Sequence, residues 1–335
     1  MTKRRLSQQQ RTRIVEKQQR ELTGDHDSDA LTTAVDKCNG LVISHFGQQL
    51  DVEALPLTAE QTIVRCYQRA NLPALVTGDK VVWEAGDSGE GVIVAVGARA
   101  GVFGRPAFDG NFKPMAANIE KVLVVIAPLP EPFPNLIDRY LVAIETLGLN
   151  PVLVLNKCDL SEDLKKQELD KMLSLYEAIG YPVFRISALD GSGFDDLRAD
   201  LHGQTTVLVG QSGVGKSSLI NRLGQEQIAI VGALSEARAK GTHTTTTAKL
   251  FHMGDCDLID SPGIREFSLG HISHEQLFHG FREFRLYSGM CKFRDCQHRS
   301  EPGCAIQSAA LSGEISTERL SSYFQILQTI DGQYS

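Results

Sequence analysis

The sequence predicts a multi-domain α/β protein with three parts: a small β-barrel of the OB-fold type, a parallel sheet with helices on both faces, and a helical C-terminal subdomain. Three observations support this prediction. Short β-branched runs separated by Gly, Asp and Pro lie between about Ala34 and Arg105. Apolar strands then alternate with helical segments as far as about Gly263. Beyond that point the chain is helical and aromatic, and it carries a cluster of Cys and His.

Composition places the chain among ordinary globular proteins. Its 335 residues are enough for two or three domains, and a hydrophobic fraction of 42% with a charged fraction of 22% is typical of that class. No apolar run is long enough to cross a bilayer, and the N-terminus lacks the apolar stretch of a signal peptide. We therefore expect a cytoplasmic protein without a membrane partner. Nothing in the sequence signals an oligomer, so we expect a monomer.

Charge is distributed unevenly along the chain. The net charge of −7 argues against a uniformly basic nucleic-acid binder, yet residues 1–21 carry seven basic side chains and two acidic ones. That stretch is rich in Gln and nearly free of aromatic residues, which predicts a disordered basic arm over residues 1–33. Such an arm suits a phosphate backbone, because binding releases the counterions of the nucleic acid. A solvated tail without a partner is the alternative.

The first folded domain, residues 34–112, is predicted to be an OB-fold barrel that binds RNA. About five short strands are expected, with runs over 41–46, 62–67, 80–83 and 91–96. Residues 35–115 carry seven basic and nine acidic side chains, about −2 in all, so charge does not favour RNA. A small β-module used for packing or protein contact remains the alternative. Residues 101–117 are predicted to form a linker and loop.

The second domain, residues 113–270, is predicted to contain the parallel sheet. Continuous apolar strands are expected over 121–127, 151–155, 183–186 and 205–209, with helices over 135–147 and 163–179. Strands of this kind are buried on both faces, which requires helices on both sides of the sheet.

A phosphate-binding loop follows the strand at 205–209. Gly210-x-x-x-x-Gly215-Lys216-Ser217 opens into a helical pattern, and its glycines let backbone N–H groups turn onto the phosphates of a nucleotide. Lys216 is expected to pair with the β- and γ-phosphates, and Ser217 to coordinate Mg²⁺. The residues predicted to bind the nucleotide here are Gly210, Gln211, Ser212, Gly213, Val214, Gly215, Lys216, Ser217 and Ser218.

The motif Asn156-Lys157-Cys158-Asp159, directly after the strand at 151–155, selects guanine. The Asp159 carboxylate accepts hydrogen bonds from guanine N1–H and N2–H₂, whereas adenine lacks this donor pair and would leave the carboxylate unpaired. Lys157 is expected to cover the ring with its aliphatic stem. Ser187-Ala188, at the end of the next strand, would place a backbone N–H near guanine O6. The bound nucleotide is therefore predicted to be GTP or GDP.

The remaining nucleotide motifs come after the phosphate loop. Asp260 ends an apolar strand and is predicted to hold Mg²⁺ through water, while Gly263 offers its N–H to the γ-phosphate. One threonine of the Thr242–Thr247 stretch is expected to ligate Mg²⁺, and we favour Thr245. An ordinary GTPase has its phosphate loop before its guanine motif. The reverse order here predicts a circularly permuted P-loop GTPase domain.

One position departs from the usual hydrolytic machinery. Many GTPases place a Gln after the Asp-x-x-Gly glycine to orient the attacking water, but this position is Ile264, which cannot hydrogen-bond water. His243, within the Thr-rich stretch, is the best candidate to replace it, so His243 and Lys216 are predicted to be catalytic. A solvent-facing loop histidine is the alternative. Slow intrinsic hydrolysis that a partner accelerates is expected.

A metal site is predicted in the third part, residues 271–335. Cys291, Cys296, His298 and Cys304 lie within 14 residues and fill a tetrahedral Zn²⁺ shell, so one structural ion is expected. Residues 281–299 carry five basic and two acidic side chains, which makes them either an RNA contact or ordinary surface. The other cysteines are predicted to be buried and without chemistry: Cys38, Cys66, Cys158 and Cys256.

Together these motifs make the chain similar to the ribosome small-subunit-dependent GTPase family (RsgA, also called YjeQ). The resemblance covers nearly the whole chain and is carried by Asn156–Asp159, Gly210–Ser217, His243–Thr246, Asp260–Phe267 and the four metal ligands. It implies GTP hydrolysis stimulated by the 30S subunit late in its maturation, and release afterwards. It also implies 16S rRNA and other assembly factors as partners, and a catalytic role for His243. Four threonines follow His243 where the family often has three.

Two functions compete on this sequence. The first is a GTPase that acts as a checkpoint on the maturing small subunit, and the second is an RNA-binding scaffold that uses GTP structurally with negligible turnover. A GTPase acting on tRNA or a membrane is disfavoured, because an amphipathic anchor and a tRNA-modifying domain are missing. Since the chain after Gly263 leads directly into the metal-binding part, we expect nucleotide state to move that part against the barrel.

Overall fold

The computed structural model describes residues 38–57, 62–86, 89–106, 112–160, 163–224, 248–260, 269 and 272–332, apart from the side chains of 163–165. The strands in these ranges are β1 (Gly40–Phe46), β2 (Gln49–Ala54), β3 (Ile63–Gln68), β4 (Lys80–Ala85), β5 (Gly91–Val96), β6 (Val102–Pro106), β7 (Phe112–Ala117), β8 (Lys121–Ile126), β9 (Asn150–Leu155), β10 (Val183–Arg185), β11 (Thr205–Val209), β12 (Lys249–His252) and β13 (Asp257–Asp260). The helices are α1 (Pro134–Thr146), α2 (Asp163–Ile179), α3 (Phe194–Leu201), α4 (Lys216–Gly224), α5 (His274–Gly280), α6 (Ala305–Ser312) and α7 (Thr317–Asp331). The predicted fold class, a barrel followed by a helix-covered sheet and a helical C-terminus, is confirmed.

Strands β1 to β5 close into a barrel. Their order is β1-β2-β3-β5-β4, and β4 returns to pair with β1. The inward-facing residues form its core: Val42, Leu50, Val52, Cys66, Leu72, Leu75, Val81 and Ile93. The closed five-stranded barrel agrees with the predicted OB-fold type. Its fifth strand is β2, which no apolar run marks because every second residue is polar.

Strands β6 and β7 form a two-stranded antiparallel ribbon where the sequence predicts a linker, so that prediction is wrong. Gly and Pro obscure the strands, yet the ribbon tolerates both. Each strand of a ribbon is an edge strand, where Pro is allowed. Gly104 leaves room for the Phe112 ring, whose Cζ would lie 2.6 Å from a Cβ at position 104. Phe103 is fully buried in the core and anchors the ribbon.

The second part is a sheet with helices on both faces. Its order is β10-β9-β8-β11-β13-β12, and all strands except β12 are parallel. In β8, Val122 and Val124 face a core that includes α1 and α2, while Leu123 and Val125 face a core that includes α3 and α4. This arrangement is the one predicted from the apolar strands. Among the helices in the described ranges, none is long and apolar enough to span a membrane.

The barrel and the parallel sheet meet through β12. Ser44 of β1 pairs with Lys249 of β12, and β12 in turn pairs antiparallel with β13. One continuous eleven-stranded sheet therefore runs from the barrel to β10.

The C-terminal helices α5 and α7 pack on α1, and together with α6 they share one hydrophobic core with that face of the sheet. A buried polar cluster lies in this interface. Arg319 of α7 is 1% exposed and pairs with Asp138 of α1 and with Glu283. The Tyr176 hydroxyl of α2 donates to Asp138 Oδ1 at 2.8 Å. The C-terminal part is thus attached to the sheet by both apolar and ionic contacts.

Candidate nucleotide and metal sites

Five strands end at one edge of the sheet, and the described nucleotide motifs follow them there. Because β8, β9, β10, β11 and β13 are parallel, their carboxyl ends share that edge. Asn156–Asp159 follows β9, Ser187-Ala188 lies just after β10, Gly210–Ser218 follows β11, and Asp260 is the last residue of β13. Open parallel sheets bind ligands at this edge.

The Asn156 side chain links three motifs. It is fully buried, and its Nδ2 donates to the carbonyl of Val214 in the phosphate loop at 2.9 Å. Its Oδ1 accepts from the backbone N–H of Ala188 at 3.1 Å. A side-chain amide suits this position because it donates and accepts at once. Asn156 therefore holds the phosphate loop against Ser187-Ala188, a role that its place in the guanine motif does not reveal.

Lys157 also contacts the phosphate loop. Its Nζ donates to the carbonyl of Gly213 at 2.6 Å and to that of Leu129 at 3.3 Å. The φ of Lys157 is +62°, a left-handed conformation that few non-glycine residues adopt. Leu129 lies in the loop after β8 and belongs to this site, although no motif in the sequence marks it.

Ser187 orients the carboxylate that is predicted to read guanine. The buried Ser187 hydroxyl donates to Asp159 Oδ1 at 2.6 Å. The same oxygen of Ser187 accepts from the backbone N–H of Asp190 at 3.3 Å. Ser187 is thus a positioning residue for Asp159, and its hydroxyl matters as well as its backbone.

Three glycines allow the phosphate loop to fold tightly over the sheet edge. Gly210, Gly213 and Gly215 have φ values of +139°, +86° and +93°, which residues other than glycine rarely adopt. A Cβ at Gly210 would lie 2.2 Å from the carbonyl oxygen of Val125, so the loop approaches β8 too closely for any side chain.

The predicted phosphate-binding side chains lie at the start of α4. Lys216 Nζ donates to the carbonyls of Gly210 and Gln211, both at 2.7 Å, and so curls back over the loop. Ser217 and Ser218 lie in the first turn of α4. Free N–H groups at a helix N-terminus favour an anion such as a phosphate.

Asp260 lies beside the phosphate loop. It ends β13, where it is paired with Leu208 of β11 on one side and Lys249 of β12 on the other. Leu208 is two residues before Gly210, so the carboxylate and the loop share the same edge of the sheet. Three residues of the predicted site lie outside the described residues, namely His243, Thr245 and Gly263, and so does Ile264.

The four predicted zinc ligands come together. The ligand atoms of Cys291, Cys296, His298 and Cys304 lie within 4.8 Å of one another. The Sγ atoms of Cys291 and Cys304 are 4.0 Å apart, and each is 3.5 Å from His298 Nδ1. A tetrahedral ion with Zn–S bonds of about 2.3 Å needs sulfurs about 3.8 Å apart. The donor set therefore fits Zn²⁺.

The C-terminal core surrounds this cluster. The His298 ring stacks on Phe278 of α5 with 5.2 Å between ring centroids. The Tyr323 ring of α7 packs against the His298 ring in an edge-to-face arrangement, with 6.5 Å between centroids. Burial lowers the pKa of His298 and raises the pKa of the Cys296 thiol to about 12. Because Zn²⁺ binds thiolates, metal binding would release protons here and draw its ligands together.

Ion pairs reduce the positive charge that residues 281–299 offer to a partner. Three of the five basic side chains are paired within the chain, namely Arg282 and Arg285 with Glu145, and Arg299 with Asp331. The other two, Lys292 and Arg294, therefore carry most of the charge available to an RNA.

Comparison with known proteins identifies relatives over nearly the whole chain. The RsgA GTPase family matches residues 96–270. The small ribosomal subunit biogenesis GTPase RsgA of Azotobacter vinelandii is 53% identical over 293 residues, which cover 87% of this chain and 85% of the relative. The protein of the same name from Marinobacter nauticus is 49% identical over 344 residues, covering 99% and 98%.

Two solved structures share the fold. The crystal structure of YjeQ from Thermotoga maritima has a TM-score of 0.71 at 30% identity, and the match covers 88% of this chain and 98% of that one. The crystal structure of YloQ, a circularly permuted GTPase, has a TM-score of 0.69 at 28% identity, covering 88% and 95%. The predicted circular permutation is therefore confirmed.

Proposed function

Because the chain belongs to the RsgA GTPase family, we propose that this GTPase acts in the biogenesis of the small ribosomal subunit. In the proposed cycle it binds the maturing 30S subunit with GTP, the subunit stimulates hydrolysis to GDP and phosphate, and the chain then dissociates. Relatives of about half identity over most of the chain, named for small-subunit biogenesis, support this cycle.

The buried Asn156 bridge is the observation that carries the nucleotide-binding part of the proposal. It holds the phosphate loop and the Ala188 N–H in one arrangement. A nucleotide with its phosphates on the loop would thus meet Ala188 and Asp159 with its base. Only guanine offers the donor pair that the Asp159 carboxylate needs.

The metal and phosphate contacts follow from the same arrangement. GTPases of this kind use Mg²⁺ with GTP. We assign Ser217, Thr245 and Asp260 to the ion, and Lys216 and the Gly263 N–H to the phosphates. When bound, the ion would neutralise charge on the phosphates, and Lys216 would stabilise the charge that develops during transfer.

Hydrolysis requires a group that orients water, and Ile264 cannot supply it. We assign this role to His243, which the small subunit would bring into its working position. A site that a partner completes would turn over slowly in isolation and fast on the subunit. Membership of a family of GTP-hydrolysing enzymes favours this reading over a scaffold with negligible turnover.

The other parts of the chain are proposed to hold the subunit. We assign 16S rRNA contacts to the arm at 1–33, to the barrel domain at 34–112, and to Lys292 and Arg294 in the zinc-binding subdomain at 271–335. The GTPase domain is assigned to 113–270. One Zn²⁺ stabilises the C-terminal subdomain. We expect a monomer that acts in the cytoplasm, where further assembly factors are available as partners.

Steady-state GTP hydrolysis tests this function. Turnover is measured with the chain alone, with purified small subunits and with large subunits, and ATP replaces GTP as the nucleotide control. We expect small subunits, but not large subunits, to stimulate turnover, and only when the nucleotide is GTP. Intact GTP binding without stimulation by small subunits would overturn the proposal.

A further inference from the structure

The barrel contacts the strand β12 at both ends. At its start, the Thr77 hydroxyl donates to the carbonyl of Ala248 at 3.0 Å, and β1 pairs with the first residue of β12. At its end, Glu53 Oε2 of β2 lies 2.6 Å from His252 Nε2. Thr77 and Glu53 are only 1% and 2% exposed, whereas the His252 side chain is 21% exposed, so both contacts are partly shielded from water. The barrel is therefore attached to β12 at both ends of the strand.

His252 also ties the barrel to a second strand of the parallel sheet. Its Nδ1 lies 2.6 Å from Asp257 Oδ1 of β13. The hydrogen bond to Asp257 and, less strongly, that to Glu53 raise the pKa of His252 to about 9. The imidazole is then protonated at neutral pH and donates to both carboxylates. One cation is shared between a carboxylate of the barrel and a carboxylate of the nucleotide-binding sheet.

The attached strand lies next to the Thr-rich stretch along the chain and next to a predicted Mg²⁺ residue in the sheet. Along the chain, Ala248 directly follows Thr247, the last residue of the Thr-rich stretch. In the β12–β13 hairpin, Lys249 lies opposite Asp260, the predicted Mg²⁺ residue. Ladder hydrogen bonds fix the register of such a hairpin, so its two strands move together. A displacement of the barrel would therefore displace Asp260.

We propose that Thr77, Glu53 and His252 are positioning residues that couple binding at the barrel to GTP hydrolysis. A partner that binds the barrel sets the position of Asp260 through the β12–β13 hairpin. The inference rests on the proposed function, in that the partner is the small ribosomal subunit. None of the three residues belongs to a nucleotide motif, and each acts through the hairpin.

Two conservative variants of the full chain remove the two contacts. Thr77→Val keeps the shape of the side chain but cannot donate to Ala248. Glu53→Gln keeps the size of the side chain but removes the negative charge beside His252.

Two further variants are matched controls outside the barrel. Thr146→Val removes a bond of the same kind, because Thr146 donates to the Ala143 carbonyl within α1 at 2.9 Å. Glu177→Gln removes a carboxylate that pairs with Arg185 at 2.7 Å.

The measurement is GTP turnover with and without small subunits, together with GTP affinity and subunit binding by sedimentation. In Thr77→Val and Glu53→Gln, the stimulated kcat should fall about five- to tenfold, the effect of losing roughly 1 kcal/mol of positioning. In these two variants, KM for GTP, intrinsic turnover and subunit binding should stay as in the wild type. In the controls, these three quantities and the stimulated kcat should all stay as in the wild type. Full stimulation in both variants, or a loss that follows weaker subunit binding, would overturn the inference.

A second measurement separates this inference from the proposed function. If small subunits fail to stimulate the wild type, the proposed function is wrong, and amide hydrogen exchange over residues 248–260 then decides the coupling. Exchange in the presence of a GTP analogue should be faster in Thr77→Val and Glu53→Gln than in the wild type. Identical exchange in all three proteins would overturn the inference on its own.

Discussion

Single side chains in the nucleotide site hold one loop against another. Asn156 joins the phosphate loop to Ala188, Lys157 joins it to the loop after β8, and Ser187 orients Asp159. Removing a buried polar group that has two hydrogen-bond partners costs free energy, because each partner is left buried without a protein group or water to bond. These bonds therefore fix the relative positions of the loops that we propose bind the base and the phosphates.

Replacing Asp159 by Asn should change the base that the site prefers. The carboxylate accepts two hydrogen bonds from guanine, whereas an amide keeps one acceptor and adds a donor that suits the C2 oxygen of xanthine. GTP affinity should fall about 100-fold, since donors of the base lose a charged acceptor, and xanthosine triphosphate should bind more tightly. Competition against a fluorescent GDP analogue measures both. Asp190→Asn is the control, and unchanged GTP affinity in Asp159→Asn would contradict the assignment.

Removing the imidazole of His243 should abolish stimulated hydrolysis but not binding. Without the group that orients water, stimulated turnover in His243→Ala should fall by about 10²- to 10⁴-fold, while GTP affinity is retained. His202→Ala is the matched control, because His202 is an exposed histidine at the end of α3. Turnover assays with small subunits give the result. Wild-type stimulation in His243→Ala would remove His243 from the mechanism.

The shared cation at His252 predicts a pH-dependent stability. Its pKa in the folded chain is about 9, above the ordinary value of 6.5, so its contribution is complete below about pH 6.5 and is lost as the pH rises through 9. The stability difference between the wild type and His252→Gln should shrink by about 1–3 kcal/mol between pH 6 and pH 10. The charged groups facing the ring are Glu53 and Asp257. Urea unfolding across this range measures the difference, and a pH-independent difference would contradict the assignment.

Short elements dominate the C-terminal subdomain. Helices α5 and α6 have seven and eight residues, too few to be stable alone, although a capping box at Ser273 supports α5. The metal ligands lie between these helices, in residues 291–304. A bound ion would cross-link this segment and hold His298 against Phe278 of α5. A bound metal would therefore stabilise these short elements, as the larger apolar core stabilises the sheet.

Loss of one ligand should remove the metal and loosen the subdomain. Cys296→Ser should bind less than one Zn²⁺ per chain and become sensitive to proteolysis after residue 281, because a hydroxyl is a poor zinc ligand. Cys256→Ser is the control, since Cys256 lies far along the chain from the cluster and belongs to a different core. Metal content by mass spectrometry and limited proteolysis provide the readout. Full zinc content in Cys296→Ser would refute the ligand assignment.

The three parts of the molecule meet at two joints: the first lies between the sheet and the C-terminal helices, and the second between the sheet and the barrel. The C-terminal helices share a large apolar core with α1 and the sheet. The barrel contributes Leu41 and Ile43 to that core and otherwise meets β12 through one ladder pair and a few polar contacts, so its apolar contact with the sheet is smaller. Burial of apolar area is the larger stabilising term. We therefore expect the sheet and the C-terminal subdomain to move as one body, and the barrel to be the part whose position responds to nucleotide.

The ionic contact in the first joint should be worth several kcal/mol. Asp138→Asn leaves the buried Arg319 without its full counter-charge, and breaking a buried pair in this way costs about 3–5 kcal/mol. Asp170→Asn removes a partner of Arg185 at 2.8 Å in a partly exposed pair and should cost less than about 1 kcal/mol. Denaturant unfolding measures both. Equal losses in the two variants would show that Arg319 does not depend on Asp138.

The sequence by itself determined the class of each part and predicted the chemistry of its motifs, because strand periodicity, a glycine-rich loop and a ligand spacing are local patterns of neighbouring residues. It also determined the rotated motif order, and with it the circular permutation. Only the tertiary structure decided the ribbon of β6 and β7, the Asn156 bridge and the barrel joint. Thr77 and Ala248 are 171 residues apart, and Glu53 and His252 are 199 apart. Such contacts depend on how two distant elements pack and on how much water they exclude, and no local pattern records either quantity.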